Sequence, residues 1–558
     1  MTQRIIIVWL CALSAWLCAL SAWAQVEVTA ACPWQDRDGY TPIVVTLRAD
    51  VPSLVELDGK VESGRGRMSV QVPAGETLRR TVLIPTAGRR WSSTVSLGWR
   101  TPGQPPGDEY LSPRNFRDFD VVVIDPAESF AVKELRDAVA KKIGTPPDPV
   151  SGYRGSSPST YPENRFTRWG ADALPDRWQG FPSWITVLVT PAGERALSEA
   201  QRAALSAWST AGGALFVTSP EQIPRWQGIG AHLNIVSIAA LSARITAVWS
   251  QTGHSPDAAP VPGTNAVPVY GFVTIAVLFA ILVGPANLWW CARNGRRNLM
   301  LVTTPILSLL ASVILLAYGI LADGFTVRRS AVQVLALDQL SGRVSAWTGM
   351  TLFAGLPPSA IRLDSEALLV PLDPGERQRN DFPAVELSWA DAEQVARGAW
   401  IPPRANRHLG MGLASAEKRR LAFTLSGSVW SVANGFDQPL TALHWFDAAG
   451  AAWHLEHPLA PGQSASLKAG LSDPLHPPLK RLPAAAELAV AEIMSSEGST
   501  PGTYVATFNA ALLPIPGPVV TDAVPLQTWV VGRVMAALAT SGSPTSDGPK
   551  SDSLKAGF

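Results

Sequence analysis

Apolar and polar positions change their pattern several times along the 558 residues. Arg4 precedes an apolar run from Ile5 to Trp23, and Ala22-Trp23-Ala24 follows ahead of Gln25. A basic residue, an apolar core and a small-x-small site predict a secretory signal peptide over residues 1–24. Short alternating runs come next: Ile43 to Leu47, Met68 to Val72 and Thr81 to Ile84, with Asp38-Gly39 and Pro73-Ala74-Gly75 as turns. Period-two patterning punctuated by turn residues predicts a small immunoglobulin-like β-sandwich over residues 25–105.

Beyond Phe119 the style shifts to strand–helix alternation. Val121 to Ile124 reads as a buried strand ending at Asp125, followed by a helix to about Ile143. After a Pro/Gly/Ser-rich stretch from Thr145 to Gly180 come strand Ile185 to Val189, a helix from Ser198 and strand Ala214 to Val217. Ser198 with Gln201 forms a capping box, and Gly212-Gly213 stops the helix. Residues 106–250 are therefore expected to form an α/β, Rossmann-like domain with a parallel sheet. Residues 251–268 read as a tether.

Two runs, residues 269–290 and 299–321, reach the roughly 20 residues that cross a hydrocarbon core. The connection, residues 291–298, carries Arg293, Arg296 and Arg297, which assigns it to the cytoplasm and the flanking domains to the opposite side. Arg328 and Arg329 fall on that outer side, past the membrane edge. Pro285 and Pro305 interrupt the two runs, and Asn287 and Thr303 lie about equally far from the turn, so an interhelix hydrogen bond between them is expected. Neither run contains Asp, Glu, Lys, Arg or His, which favours anchors over a conducting path. Residues 322–540 return to β patterning, including a hairpin of Leu440 to Phe446 with Ala451 to Leu455, and a helix is expected from Pro483 to Met494. The Ser/Gly/Pro-rich tail, 541–558, has the composition of a disordered segment.

Composition narrows the possible roles. A net charge of +1 argues against a nucleic-acid partner. Cys11 and Cys18 belong to the first apolar run, and the topology puts Cys32 and Cys291 on opposite sides of a membrane, so no disulfide is expected. Thr29-Ala30-Ala31 before Cys32 lacks the leucine usual at a lipidation site. No G-x-S-x-G, no G-x-x-x-x-G-K-[ST] and no G-x-G-x-x-G occurs, and Gly64-Arg65-Gly66-Arg67 reads as a turn. His444, His454 and His457 cluster in sequence. Pairing the hairpin about Asp447 to Gly450 puts His444 opposite Trp453 and His454 opposite Leu443, on opposite faces, so no metal is expected. Asp125 ends a strand where open sheets bind ligands, although Asp125-Pro126-x-Glu128 also reads as a helix cap. The chain holds 21 tryptophans; Trp169 and Trp178 fall in the long loop feeding the sheet, while Trp208 and Trp445 read as core.

Leu174-Pro175-Asp176-Arg177-Trp178-Gln179-Gly180-Phe181, the Leu197-to-Gly213 helix with its Gly-Gly end, Gly284-Pro285-Ala286-Asn287, and Arg296-Arg297 followed by Pro305 carry a resemblance. Over most of the mature chain the layout resembles bacterial envelope proteins with a class I glutamine-amidotransferase-like domain ahead of a two-helix membrane hairpin. The resemblance implies a bacterial inner-membrane protein with soluble domains in the periplasm, and partners among AAA-type ATPases and von Willebrand-type membrane proteins. Active amidotransferases need a cysteine nucleophile activated by histidine. Residues 106–250 hold no cysteine, so the domain is expected to be catalytically degenerate, without cofactor.

Binding or scaffolding of envelope partners is thus the expected role. A small-ligand or glycan-binding module that signals to a partner is the alternative, and a periplasmic hydrolase comes behind it. The expected recognition surface comprises Arg177, Trp178 and Phe181 on the long loop, with Asp125 at the strand end.

Overall fold

The computed structural model describes residues 26–534 apart from 36–38, 63, 87–93, 114–120, 144–165, 183–184, 227–232, 252–260, 263–268, 296, 324–325, 373–384, 391, 399, 471–474, 492, 494–500, 516–519 and 523–525. The signal-peptide segment, most of the tether, Arg296 and the tail lie outside the described residues. The chain is multidomain, rich in β-sheet, and mainly β in its C-terminal region.

Among the described residues seven strands come before the first helix: β1 (Val26–Ala31), β2 (Tyr40–Ala49), β3 (Ser53–Val61), β4 (Gly64–Val72), β5 (Thr77–Pro85), β6 (Val95–Arg100) and β7 (Gly107–Leu111). The α/β unit follows with β8 (Val121–Ile124), α1 (Val132–Ile143), β9 (Phe166–Trp169), β10 (Thr186–Val189), α2 (Pro191–Ala196), α3 (Glu199–Thr210), β11 (Ala214–Val217), β12 (Leu233–Ile235) and α4 (Ile238–Gln251). Its five strands are all parallel, ordered β12-β11-β10-β8-β9. Val121 and Val123 point to one face with α1 and α4; Val122 and Ile124 point to the other with Leu205 and Trp208 of α3. Strands covered on both faces must be apolar throughout, which is why these four-residue runs are not alternating.

After α4 the chain forms α5 (Val269–Ile281), a π-helical turn at Leu282–Ala286, α6 (Asn287–Arg293) and α7 (Met300–Asp323). Two helical stretches, Tyr270–Arg293 and Met300–Tyr318, are long and apolar enough to cross a membrane. Val273, Leu278, Leu301 and Leu309 are each more than half exposed, and an apolar surface all round is what hydrocarbon surroundings require. Pro285 lacks the amide that an α-helical ladder needs, and the π turn absorbs that gap.

The C-terminal region comprises β13 (Val327–Asp338), β14 (Arg343–Ala354), β15 (Ile361–Asp364), β16 (Leu368–Pro371), β17 (Val385–Trp389), β18 (Glu393–Gly398), β19 (Asn406–Ala416), β20 (Leu421–Ser426), β21 (Val429–Asn434), β22 (Leu440–Phe446), β23 (Ala452–His454), β24 (Ser464–Ser466), β25 (Lys468–Ala469), α8 (Ala484–Ala491), β26 (Thr503–Phe508), β27 (Val520–Asp522) and β28 (Gln527–Arg533). Most of these strands build one ten-stranded sheet, whose long central hairpin is β13–β14.

The expected boundary between residues 25–105 and 322–540 needs correction. β17 pairs in parallel with β4, so β15, β18 and β17 extend the N-terminal sheet into seven strands ordered β15-β18-β17-β4-β3-β6-β7. This sheet and the three-stranded sheet β1-β2-β5 enclose one core, in which Ile43, Leu57 and Leu83 meet Leu352, Leu387 and Trp400. Gly64 and Gly66 explain the crossing point, and they stand in a strand, not in the expected turn. A Cβ on either would overlap the carbonyl oxygen of Pro85 or Leu83 on the facing strand, so glycine permits the close approach of the two layers.

Candidate functional site

Asp125 leaves β8 at the carboxyl end of the parallel sheet, beside Thr190, which leaves β10. Its Oδ2 accepts the Phe130 amide at 2.9 Å, and its Oδ1 lies 3.0 Å from the Ser129 hydroxyl and 3.1 Å from that of Thr190. The residue is 2 % exposed. Burial pushes the carboxyl upward, but hydrogen bonds from Phe130, Ser129 and Thr190 outweigh it and hold the group below the usual carboxylate range. Both oxygens are thus engaged in shaping the residue 125–130 loop. The expected cap is also displaced: α1 begins seven residues later, at Val132. Thr190 in turn caps α2, accepting the Gly193 amide at 3.1 Å. A Cβ on Gly193 would overlap the Ile124 carbonyl, so α2 lies tightly against the end of β8.

Glu194 is the least conventional group nearby. It is 1 % exposed, its Oε2 accepts from Gln222 Nε2 at 3.2 Å and lies 3.8 Å from the Arg225 guanidinium, and its Oε1 has no hydrogen-bond partner. No sequence motif marks this residue; only its place four residues after a helix-cap threonine at a parallel strand end could have drawn attention to it.

Arg177, Trp178 and Phe181 do not form the exposed surface expected of them. Trp178 is 3 % exposed and Phe181 4 %. Trp178 Nε1 donates to the Glu366 carbonyl at 3.0 Å, and Gln179 Nε2 donates to that of Ser365 at 2.8 Å. Phe181 stacks obliquely between Trp34 and Trp208, with centroids 5.7 Å from each. Arg177 lies over the Trp389 ring at 4.7 Å. On the other flank Trp34 Nε1 donates to Gly180 O at 2.8 Å, the Thr81 hydroxyl accepts the Asp176 amide at 3.1 Å, and Arg79 donates to the carbonyls of Ala171, Asp172 and Leu174. Gln201 of α3 donates to Ala171 and Leu174 as well. A backbone without regular structure must have its polar groups satisfied when buried. Here side chains from the N-terminal sandwich and α3 supply the partners, while carbonyls of the C-terminal region accept from the loop's own Trp178 and Gln179. The loop is the joint of the molecule, some distance in role from a free recognition surface.

In the hairpin Thr303 Oγ1 donates to Asn287 Oδ1 at 2.9 Å, and Asn287 Nδ2 donates to Thr304 Oγ1 at 3.3 Å. Asn287 is 6 % exposed, so this is an interhelix bridge within the apolar pair. Cys32 is buried in the sandwich core, and burial pushes its thiol up to about 12; Cys291 is buried beside Asn287.

The histidine register also differs from expectation. Phe446 pairs with Ala452 and His444 with His454, so both imidazoles share one face. Asp447 sets this five-residue connection: its Oδ1 accepts the amides of Ala449 and Ala451, each at 2.9 Å, and its own amide donates to Ala451 O. One added loop residue slips the register by one and flips every following side chain. Among the described residues no group of three or more His, Cys, Asp or Glu side chains is placed to hold a metal ion.

No protein-family model and no curated protein matches the sequence.

Proposed function

We propose that the chain is a non-catalytic protein of a bacterial inner membrane, whose soluble domains lie in the periplasm and scaffold or recruit envelope partners. The observation that carries this reading is the sheet shared by β4 and β17. A β-sheet is not divided by a bilayer, so the segments before and after the hairpin stay on one side, and the hairpin acts as a single anchor for one composite body. Arg293 in the short connection favours the cytoplasm for the turn. The strand order supports a doubly wound, amidotransferase-like reading of residues 106–250, because the order reverses between β8 and β10 as in such folds. Its degeneracy is supported by the absence of cysteine from this segment and by a switch point whose carboxylate, Asp125, is saturated by its own loop. The two packed layers, antiparallel apart from the β4–β17 pairing, support an immunoglobulin-like sandwich, completed from the C-terminal side. AAA-type ATPases and von Willebrand-type proteins remain the partner classes that the resemblance suggests.

The reading is tested in two arms. Alkaline phosphatase fused after Asn265 or Ser541 is expected to be active, and fused within Arg293 to Asn298 inactive; activity at the turn overturns the topology. Asp125→Asn and Glu194→Gln, at wild-type membrane levels, are expected to complement whatever defect a deletion strain shows. Failure of either variant to complement while the protein keeps its melting temperature overturns the non-catalytic reading.

A further inference from the structure

Gly98 stands inside β6, where a glycine weakens a strand because it brings no side chain to pack. Nothing in its surroundings requires one. Its φ lies outside the left-handed region, and its pairing with β3 and β7 runs without a bulge. Among the described residues a Cβ on Gly98 would meet nothing closer than 3.8 Å. Gly64 and Gly66 are pressed against another layer; Gly98 is not. A further reason for a glycine within a strand is the close approach of a ligand.

The register shows what surrounds the missing side chain. Gly98 lies directly between Asp58 of β3 and Asp108 of β7. In the next row Ser96 lies between Lys60 and Tyr110, and in the row on the other side Arg100 is opposite Glu56. Alternation turns all of these to one face, away from Leu57 and Leu97, which sit in the shared core. From Asp58 to Asp108 the trough over Gly98 spans two strand spacings, about 9.5 Å, the scale of a disaccharide. Tyr110 borders it diagonally, within reach for an aromatic ring, and is 74 % exposed. Arg65 and Lys60 hold the Asp58 carboxylate, Lys60 at 3.4 Å, whereas Asp108 and Arg100 are exposed.

We propose that this face binds a saccharide, a short stretch of a polymer of equatorially linked pyranoses, with one ring seated over Gly98 and packed on Tyr110. A pyranose of that configuration has flat C–H faces that pack on an aromatic ring. The hydroxyls at its rim donate to the Asp108 carboxylate and accept from the Arg100 guanidinium. The chemistry of the face argues against other occupants. Glu56 and Asp108 balance Lys60 and Arg100, so a polyanion gains little from it. A protein partner would need an apolar centre, and the large apolar side chains that β3, β6 and β7 expose, Leu54 and Tyr110, stand at opposite ends. Neither Asp125 nor Glu194 takes part, so the proposal stands apart from the non-catalytic reading, and it holds whichever side of a membrane the sheet occupies.

Co-sedimentation of the full chain with insoluble cellulose and chitin, in a detergent without a sugar headgroup, is the test. Wild type is expected to bind at least one of the two, and cellotetraose or chitotetraose to release it. Tyr110→Ala, which removes the ring, is expected to weaken binding about tenfold, and Tyr110→Phe, which keeps it, by less than about threefold. Gly98→Val fills the trough and is expected to weaken binding by at least as much as Tyr110→Ala, at the wild-type melting temperature. If Gly98→Val melts lower, Asp108→Asn, at an exposed position, is read in its place, with an expected loss of about fivefold or more. Absence of wild-type binding to both polymers overturns the proposal, as does a Tyr110→Ala chain that binds like wild type. Binding that high salt abolishes and no sugar releases reports a charged surface only and overturns it as well.

Discussion

At the scale of single residues, Trp178 separates recognition from architecture. Its indole is buried and its N–H reaches across to Glu366 O in the C-terminal region. Trp178→Ala is therefore expected to cost about 3–5 kcal/mol, the range for a core aromatic. Arg177→Ala, which loses the contact over Trp389, is expected to cost roughly 0.5–2 kcal/mol. Urea unfolding of the full chain checks both, and a Trp178→Ala midpoint unchanged from wild type contradicts the joint described here. The loop's composition was legible, since Trp and Phe beside Arg and Asp are not what a solvated linker needs. Its destination was not, because Ser365 and Trp389 lie about two hundred residues onward and no local periodicity encodes a partner that remote. Asp447 shows the same limit at short range. Its carboxylate adds one residue to a hairpin connection that sequence pattern alone reads as four, and the histidines change faces with it.

At the scale of elements, the reading was most secure where local chemistry decides the outcome. The Ser198–Gln201 capping box is formed in both directions, and α3 ends at Thr210 ahead of Gly212. The apolar four-residue strands of the α/β sheet announced themselves by length and β-branched content. In the hairpin, equal distance from the turn was enough to bring Asn287 and Thr303 together. Asn287→Leu is expected to weaken helix pairing by about 0.6–2 kcal/mol. Unfolding of the reconstituted hairpin in detergent micelles measures it, and a stability equal to wild type contradicts a role for the bridge. Gly64-Arg65-Gly66-Arg67 misled because two glycines resemble a turn. In the fold they mark a strand pressed against another layer, and nothing local distinguishes the two.

At the scale of the whole molecule, domain order along the chain and domain composition in space part company. Residues 26–113 carry four strands of a seven-stranded sheet and about half of a core whose remainder comes from beyond the apolar helical pair. A fragment of residues 26–113 is expected to show no cooperative unfolding transition and to expose apolar surface to dye. Circular dichroism on heating, with dye binding at room temperature, checks this, and a sharp melt of the isolated fragment contradicts the shared core. Composition shifts revealed the segments correctly as β, α/β, apolar and β again. They were silent on pairing because a strand with one buried face reads the same whichever neighbour it joins.

The shared sheet also imposes a schedule on biosynthesis. β4 emerges from the ribosome first, and its partner β17 follows roughly 300 residues later, about 15–60 s at ordinary elongation rates of about 5–20 residues per second. During that interval the two long apolar helices and strands β13 to β16 are made before β17 appears. Until then β4 is an open edge beside a half-covered apolar layer, a state prone to pairing with the wrong chain. A holding chaperone would have to protect that edge, and maturation of this protein is consequently set by delivery of its second half.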